Sequence, residues 1–402
     1  MTNQTNKDYI SLHHIGSRGG SRSFPINTKF EHEMINVLYD ADPDCLQQAK
    51  KVNQQLKSKL IIYPYCLSNK KEFVEFYITY DPNLSSFYKP KKMSLDYYYF
   101  SHAGYDYNFN ESSKIEKVIN VETTTLDILL DEKKTDFIMP DFLSLDTQGS
   151  ELKILDGSSI CLENTLAVVL ETEFIEFYEN QPCFDDVLKY MKKKGFDFIR
   201  FTNTVEQNAY NYPVEIRSRG RITDADALFI RSPEYLEKTL RNNLSSYYKL
   251  SFIYISFDML ESALECVKKI DEKWKLSNHL EYYKFLNEVY ECSKKFTIYP
   301  KKFSDKYTVE ESHLRYAIHS HRKSSLRVFL CQLGPLTKIM RLIRDKAILF
   351  GISFRNLIIN FKLIENLKKT EMEILLEKNN FHSLSEIVYT NRIKIYKSNG
   401  IL

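Results

Sequence analysis

The chain has 402 residues, of which 43% are hydrophobic and 27% are charged, and its net charge at neutral pH is +3. These fractions are typical of a soluble globular protein. The length excludes a single ordinary core, because domains average about 150 residues, and it predicts two or three domains.

The charge is distributed unevenly along the chain. Residues 301–402 contain 19 Lys and Arg against 9 Asp and Glu, so they carry +10 while residues 1–300 carry −7. A basic segment can bind a membrane surface, an acidic polymer or a partner protein, or it can be only a solvated helical face. Both interpretations stay open on the sequence alone.

The cysteines and the apolar segments indicate the compartment. The seven cysteines include no CxxC or CxxH pair, so no zinc framework is visible, and their odd number and wide spacing favour reduced thiols. The segment from Met1 to Asp8 lacks the apolar core of a signal peptide, and no stretch of about 18 apolar residues occurs. We therefore expect a cytoplasmic protein, and attachment to the inner face of a membrane stays open.

Short apolar runs alternate with helical patterns over the first 230 residues. A helix is predicted at Pro43–Leu56 and another at Phe184–Lys194, where Gly195 ends it. This alternation predicts an α/β fold with an open, doubly wound and mostly parallel sheet. The predicted strands are Tyr9–Ile15, Met34–Tyr39, Leu60–Leu67, Glu72–Tyr80, Phe142–Leu145, Ala167–Leu170, Phe196–Phe201 and Ala227–Ile230.

The pattern becomes helical after Ser232 and Pro233, and glycines become rare. We therefore predict a first domain at residues 1–232 and a helical, basic region at residues 233–402. Residues 297–308 mark a possible break between two groups of helices.

Two of the predicted strand ends carry residues suited to a nucleoside ligand, which in such sheets binds beyond the carboxyl ends of the strands. Gly16-Ser17-Arg18-Gly19-Gly20 follows the first strand, and its glycines permit positive φ and close approach of the backbone to a ligand. Asp40 ends the second strand, where an acidic side chain accepts hydrogen bonds from ribose hydroxyls. No dinucleotide-type phosphate loop accompanies them, which favours a nucleoside without a pyrophosphate. A tight turn and a helix cap are the structural alternatives.

The most informative string is Asp146-Thr147-Gln148-Gly149-Ser150-Glu151, between an apolar strand and a short helix that ends at Asp156-Gly157. The pattern places Asp146 at the cleft, Gly149 at a sharp turn and Glu151 at the positive end of the helix. Glu171 and Glu173 follow the next strand. With Asp146 they form a possible carboxylate cluster that tunes a hydroxyl or holds a metal, although solvent-facing acids are equally compatible.

The segment Phe142–Gly157 resembles the signature of FkbM-type methyltransferases. Other matches follow in chain order, and the resemblance spans about residues 9–232. They are Ile15–Gly20, Tyr39–Pro43, Cys66–Ser68, Ser85-Ser86, Thr125–Asp127, Glu171–Tyr178, Gln181–Phe184 and Asp226–Phe229. Two departures are His14, where an acid commonly precedes the first glycine, and Ala41, which replaces a common proline.

The resemblance implies a class I methyltransferase sheet with a final antiparallel strand. It also implies S-adenosylmethionine as cofactor and O-methylation of a sugar hydroxyl, often in surface glycans such as capsule or lipopolysaccharide. No metal or nucleic acid is expected.

On this basis we assign expected roles within the site. Asp40 binds the ribose, Leu67 packs near the adenine, and Asp146 lies near the transferring methyl, where it orients the cofactor's amino group or acts as base. The cofactor-binding set is Gly16, Ser17, Arg18, Gly19, Gly20, Asp40, Ala41, Leu67, Ser86 and Asp146. The catalytic set is Asp146, Gln148, Glu151 and Glu171.

Two other functions are compatible with the sequence. The first is a nucleotide-sugar oxidoreductase, against which the missing GxGxxG fingerprint argues. The second is a docking protein of a glycan-assembly complex that works through its basic helical tail, on a membrane surface or a glycosyltransferase.

Overall fold

A computed structural model describes most of the chain up to residue 297 and a short segment near its end. The described residues are 8–16, 24–25, 27–41, 51, 57–93, 95, 97–100, 106–133, 136–210, 212–216, 218–239, 241–297 and 369–398. Nearly all of the predicted helix Pro43–Leu56, most of the predicted helical tail and residues 17–20 of the glycine-rich loop lie outside these ranges.

Twelve strands occur in the described residues. They are β1 (Ile10–Ile15), β2 (Met34–Tyr39), β3 (Lys59–Tyr63), β4 (Cys66–Leu67), β5 (Phe73–Thr79), β6 (Tyr98–Phe100), β7 (Asp106–Asn108), β8 (Ile115–Thr124), β9 (Phe142–Leu145), β10 (Ala167–Glu173), β11 (Asp197–Gln207) and β12 (Arg221–Ile230).

Eleven α-helices occur in the same residues. They are α1 (Phe109–Ser112), α2 (Leu126–Lys133), α3 (Glu151–Asp156), α4 (Ser159–Asn164), α5 (Phe184–Lys193), α6 (Pro233–Glu237), α7 (Leu244–Ser256), α8 (Leu260–Lys273), α9 (Glu281–Ser293), α10 (Glu371–Lys378) and α11 (His382–Ser398). Within the part of the chain that is described, no helix combines the length and apolar character needed to cross a bilayer.

Seven strands form the main sheet, in the order β11-β12-β10-β9-β1-β2-β3. The five strands from β10 to β3 pair in parallel, whereas β12 pairs antiparallel with both β10 and β11. This arrangement confirms the predicted α/β fold, with a mostly parallel sheet and a late antiparallel strand. The carboxyl ends of the parallel strands therefore lie at one edge of the sheet.

The central strands are buried on both faces, as parallel strands usually are. All six residues of β1 are buried, although three of them are polar. Each polar side chain has a partner: Ser11 Oγ donates to Asp141 at 2.9 Å, His13 Nδ1 lies 3.1 Å from the Tyr39 hydroxyl, and His14 Nε2 lies 3.3 Å from Asn36. Hydrogen bonding makes this polar sequence tolerable in the core.

The predicted strand Leu60–Leu67 is divided into β3 and β4, which belong to different sheets. Pro64 lies between them and lacks the N–H that would continue the ladder. β4 instead pairs with β8, and β8 also pairs antiparallel with β5. The resulting three-stranded sheet β4-β8-β5 lies within the insertion between β3 and α2.

Helix α7 packs beside the sheet, and α8 packs on α7, where Ser251 Oγ donates to the Ala263 carbonyl at 2.8 Å. Eleven residues of α7, including Tyr247 and Phe252, are buried, as expected for a helix surrounded by other elements. The ring of Phe257, which follows α7, stacks on Phe142 of β9 at 6.1 Å. Asp258 takes a left-handed φ of 59° between α7 and α8, so the two are separate helices.

The chain divides into two compact units, residues 1–290 and residues 291–402. Helices α7 and α8 and most of α9 thus group with the first unit. In the second unit, Arg392 of α11 pairs with the buried Glu373 of α10 at 2.8 Å. The predicted methyltransferase boundary at residue 232 stays a prediction.

Candidate active site

The three strand ends singled out in the sequence meet at one edge of the sheet. The Gly16 N–H donates to the Tyr39 carbonyl at 3.2 Å, and the Asp146 N–H donates to the Ile15 carbonyl at 3.0 Å. Asp40 directly follows Tyr39. The ends of β2, β1 and β9 therefore bring Asp40, Gly16 and Asp146 side by side.

The backbone at Gly16 leaves no room for a side chain. Its φ is +78°, and a Cβ atom there would collide with the Asp146 carbonyl and meet the Thr147 methyl at 2.7 Å. Glycine is thus required at this crossing of β1 and β9. The rest of the predicted loop, Ser17, Arg18, Gly19 and Gly20, lies outside the described residues.

A cavity of about 650 Å³ opens at this edge, large enough for a small-molecule ligand. Asp40 and Ala41 lie on one side of it and Asp146 and Gln148 on another. Six of the predicted site residues line it: Gly16, Asp40, Ala41, Leu67, Asp146 and Gln148. Ser86, Glu151 and Glu171 are not among its lining residues.

The signature after β9 forms a tight left-handed turn. Gln148 has a φ of 54° and Gly149 a φ of 95°, the first of which is costly for a side chain other than glycine, Asn or Asp. Glu151 stabilises this turn, because its Oε1 accepts from the Thr147 N–H at 2.7 Å and the Thr147 hydroxyl at 2.9 Å. Glu151 is only 4% exposed, so it supports the site from behind.

The Gln148 side chain links two carboxylates at the cavity. Its Nε2 donates to Asp146 Oδ1 at 3.0 Å and to Glu171 Oε2 at 2.6 Å. The Tyr178 hydroxyl lies 3.2 Å from Gln148 Oε1, and Ser86 Oγ donates to the Gln148 carbonyl at 2.7 Å. The strained turn is thus held by hydrogen bonds from three separate segments.

Four carboxylates lie on β10 and β12, the strands beside β9 and Asp146. In the antiparallel pair β10–β12, Glu171 stands opposite Asp226 and Glu173 opposite Asp224, and residues two apart share a face of a strand. The four carboxylates therefore lie on one face. Asp224 and Asp226 were not predicted as site residues, because only the antiparallel register with β10 brings them to this face. Their spacing of two residues, which puts both on one face of a strand, was the one indication in the sequence.

Burial and mutual repulsion weaken the acidity of this group. Desolvation first, and then Asp146 and Glu173, raise the pKa of Glu171 well above its usual range. Burial also raises the pKa of Asp224 to about 6 and that of Glu151 to about 7. Asp224 and Glu151 therefore change protonation near neutral pH, as groups at functional sites often do.

The two histidines of β1 serve the core. His13 is fully buried, and burial together with the neighbouring His14 lowers its pKa to about 3. It is therefore neutral at physiological pH and lies in the sheet, away from the cavity lining. Among the described residues, no group of three or more His, Cys, Asp or Glu side chains is arranged to hold a metal ion.

The geometry fits S-adenosylmethionine. The backbone of Gly16 lines the cavity, and Asp40 lies where ribose hydroxyls are bound in sheets of this type. Tyr65 and Leu67 supply apolar surface for an adenine ring next to Asp40. Burial and the nearby Asp40 raise the pKa of Cys66 to about 12, so this thiol stays protonated.

The comparison with known protein families agrees with this geometry. Residues 14–198 match the sequence model described as the methyltransferase FkbM domain. The fold and the site thus define an S-adenosylmethionine-dependent methyltransferase domain, with S-adenosylmethionine as its cofactor. Within that class, residues 14–198 are similar to the FkbM family, as the signature in the sequence predicted.

Solved structures show only distant similarity. A methyltransferase FkbM from Methylobacillus flagellatus is 10% identical with a TM-score of 0.30, over 56% of this chain and 44% of that one. Magnesium protoporphyrin IX methyltransferase from Synechocystis PCC 6803, with bound S-adenosylmethionine, is 11% identical with a TM-score of 0.28, over 55% and 69% of the two chains. Scores this low carry no weight in the assignment.

This chain spans less than half the length of the Methylobacillus FkbM structure. No curated protein sequence matches it.

Proposed function

We propose that this chain is an O-methyltransferase that transfers the methyl group of S-adenosylmethionine to a sugar hydroxyl, in the synthesis of a surface glycan or related glycoconjugate. The observation that carries the proposal is the Asp146–Gln148–Glu171 bridge at the wall of the cofactor cavity. This bridge puts two proton acceptors next to the place where a hydroxyl must lose its proton.

The roles of the residues follow from their positions around the cavity. Asp40 holds the ribose hydroxyls, Gly16 gives the methionine part access to the backbone, and Ala41 and Leu67 flank the adenine. Ser86 acts indirectly, because it fixes the carbonyl of Gln148. Glu151 likewise acts by holding the turn that carries Asp146 and Gln148.

The bound cofactor supplies an activated methyl group on a sulfonium centre. The protein must align the acceptor oxygen in line with the breaking C–S bond, and positioning of this kind is the main contribution to the rate. Asp146 at the cavity wall, or Glu171 in its ionised form on the far side of the Gln148 amide, accepts the hydroxyl proton as the new C–O bond forms. General-base help of this kind typically contributes about 10²–10⁴-fold.

Asp146→Asn tests the central residue, because it keeps the size of the side chain and removes its charge. We expect methyl transfer from radiolabelled S-adenosylmethionine to a panel of sugar acceptors to fall at least about 100-fold. Unchanged affinity for S-adenosylhomocysteine assigns Asp146 as base, whereas a parallel loss of affinity assigns it to the amino group of the cofactor.

The matched control is Asp185→Asn, at an exposed carboxylate that pairs with Lys189 on α5. It removes the same charge away from the cavity and should change neither transfer nor affinity. If Asp146→Asn behaved like this control, the proposed role would be wrong.

The cellular context of the reaction rests on the sequence. We propose a cytoplasmic protein, from its cysteine usage, whose basic residues 301–402 dock on a membrane surface or a glycosyltransferase. Most of that segment lies outside the described residues, and the proposed docking rests on its net positive charge.

A further inference from the structure

One wall of the cavity is made entirely of apolar side chains that belong to the small sheet. Phe76 and Ile78 of β5 and Ile119 and Val121 of β8 line the cavity, and Phe87 lines it from the loop after β5. Because Phe76 pairs with Ile119 and residues two apart share a face, these strand residues form one continuous surface.

The opposite face of the same sheet is open to solvent and mixed in character. It carries Glu75 and Asn120, which pair with each other, together with Phe73 and Val118, which are 72% and 46% exposed. The apolar side chains on the other face line the cavity instead. The sheet is too small to hide them in a core of its own, so the cavity exposes them to whatever the cavity binds.

This wall is fixed to the signature turn. Ser86 pairs with Tyr77 of β5 through hydrogen bonds of 2.9 and 3.2 Å, and its hydroxyl donates to the Gln148 carbonyl at 2.7 Å. The Phe87 ring packs edge-on against Phe76 at 5.4 Å. A group that rests on the wall is thus held at a set position beside Asp146 and Gln148.

We infer that the acceptor is a glycoside whose sugar carries an apolar substituent, an alkyl or aromatic group that packs on this wall while the sugar hydroxyl points at Asp146. The inference rests on the proposed function and narrows its substrate class. Sugar hydroxyls are disfavoured on these five apolar side chains, which cannot pair with them, because unpaired buried hydroxyls are costly. The polar lining residues Asn83 and Ser85 lie beside the wall, on the loop that also carries Phe87. The apolar part of the cofactor, its adenine, already has Leu67 and Tyr65 beside Asp40.

The test compares two glucosides on protein saturated with S-adenosylhomocysteine. Octyl β-D-glucoside, kept below its micelle-forming concentration, and methyl β-D-glucoside are titrated in a calorimeter. We expect the octyl compound to bind at least about tenfold more tightly, since each buried methylene adds affinity. Equal affinities, or no binding of either glucoside, would overturn the inference.

A pair of variants on β8 locates the effect. Val121→Thr keeps the shape of the side chain but puts a hydroxyl on the wall, and we expect at least about fivefold weaker octyl glucoside binding. Val118→Thr makes the same change on the solvent face and should have no effect. An equal loss in both variants, or no loss in Val121→Thr, would contradict the assignment of the wall.

Cofactor binding is measured separately on the same proteins. If octyl glucoside displaced S-adenosylhomocysteine, the wall would belong to the cofactor and the inference would be wrong while the methyltransferase function stood. If S-adenosylhomocysteine failed to bind the wild-type chain, the proposed function would fail and the inference with it.

Discussion

Gln148 combines a strained backbone conformation with hydrogen bonds to two carboxylates of the site. It has a positive φ that few residue types adopt, and its amide lies between Asp146 and Glu171. An amide can donate to both carboxylates at once, whereas a carboxylate at this position would add a third negative charge. The free-energy cost of the positive φ at Gln148 is therefore offset by the hydrogen bonds that this conformation allows.

Glu151 gives a prediction about pH. Burial raises its pKa to about 7, so the folded chain binds this proton more tightly than the unfolded chain does. Its contribution to the free energy of unfolding is then most favourable below the unfolded pKa of about 4.3 and declines as the pH rises to about 7. Glu151→Gln keeps a carbonyl that can accept from Thr147 and removes this dependence.

The measurement is urea unfolding of wild type and Glu151→Gln at pH 5 and pH 8. Relative to wild type, the variant should gain stability on going to pH 8, by an amount on the order of 1–3 kcal/mol. Groups that titrate elsewhere cancel in this comparison. Parallel stability profiles for the two proteins would show that Glu151 is not a buried acid of raised pKa.

The site residues that could be predicted from the sequence are those that directly follow a predicted strand. Asp40, Gly16 and Asp146 each follow a short apolar run, and they meet because parallel strands end at the same edge. Asp224 and Asp226 could not be predicted, because their place depends on the register of β12 against β10. Tyr178 reaches Gln148 from a loop, which no strand pattern reveals.

Among the larger elements, α7 is joined to the sheet by a buried charge cluster. Asp141, just before β9, is 2% exposed and accepts from Lys249 Nζ of α7 at 2.7 Å and from Arg241 at 3.1 Å. Burial by itself would raise the pKa of Asp141, but Lys249, Arg241 and the hydrogen bond from Ser11 outweigh it and lower the pKa. The cluster fixes one end of α7 to the sheet.

Asp141→Asn should destabilise the chain by about 3–5 kcal/mol, because it removes one charge of a buried ion-pair cluster with Lys249 and Arg241. The free energy of unfolding, from urea titration at neutral pH, measures the loss. Asp185→Asn, which removes an exposed partner of Lys189, should leave the free energy of unfolding nearly unchanged, because exposed ion pairs contribute little. Similar values for the two variants would mean that the buried cluster does not hold α7.

The positions of the elements were predicted better than their ends. β2 and β9 have the predicted bounds, because a polar residue follows each apolar run. β10 instead continues beyond Leu170 to Glu173, because pairing with β12 extends it through polar positions. The three-stranded sheet was not predicted as a unit, since its strands come from distant parts of the insertion.

The whole molecule shows which helices belong with the methyltransferase sheet. A family match that stops at residue 198 and a change of pattern at residue 233 both suggest an early boundary. Residues 1–290 nevertheless form one compact unit, and α7 within it is almost completely buried. Removal of α7 would expose apolar surface on both the helix and the sheet.

Two truncated chains test this boundary. Residues 1–297 should unfold cooperatively on heating and bind S-adenosylhomocysteine within a few fold of the full chain. Residues 1–232 should aggregate or unfold without a cooperative transition. A stable, cofactor-binding fragment 1–232 would show that α7 to α9 are dispensable for the domain.

The most direct test of the account is cofactor binding to the full chain. Calorimetric titration with S-adenosylmethionine and S-adenosylhomocysteine should give binding in the micromolar range, and Asp40→Ala should weaken it at least about tenfold through loss of the ribose contacts. Absence of binding, or equal binding by Asp40→Ala, would contradict the assignment of this edge of the sheet as the methyltransferase site.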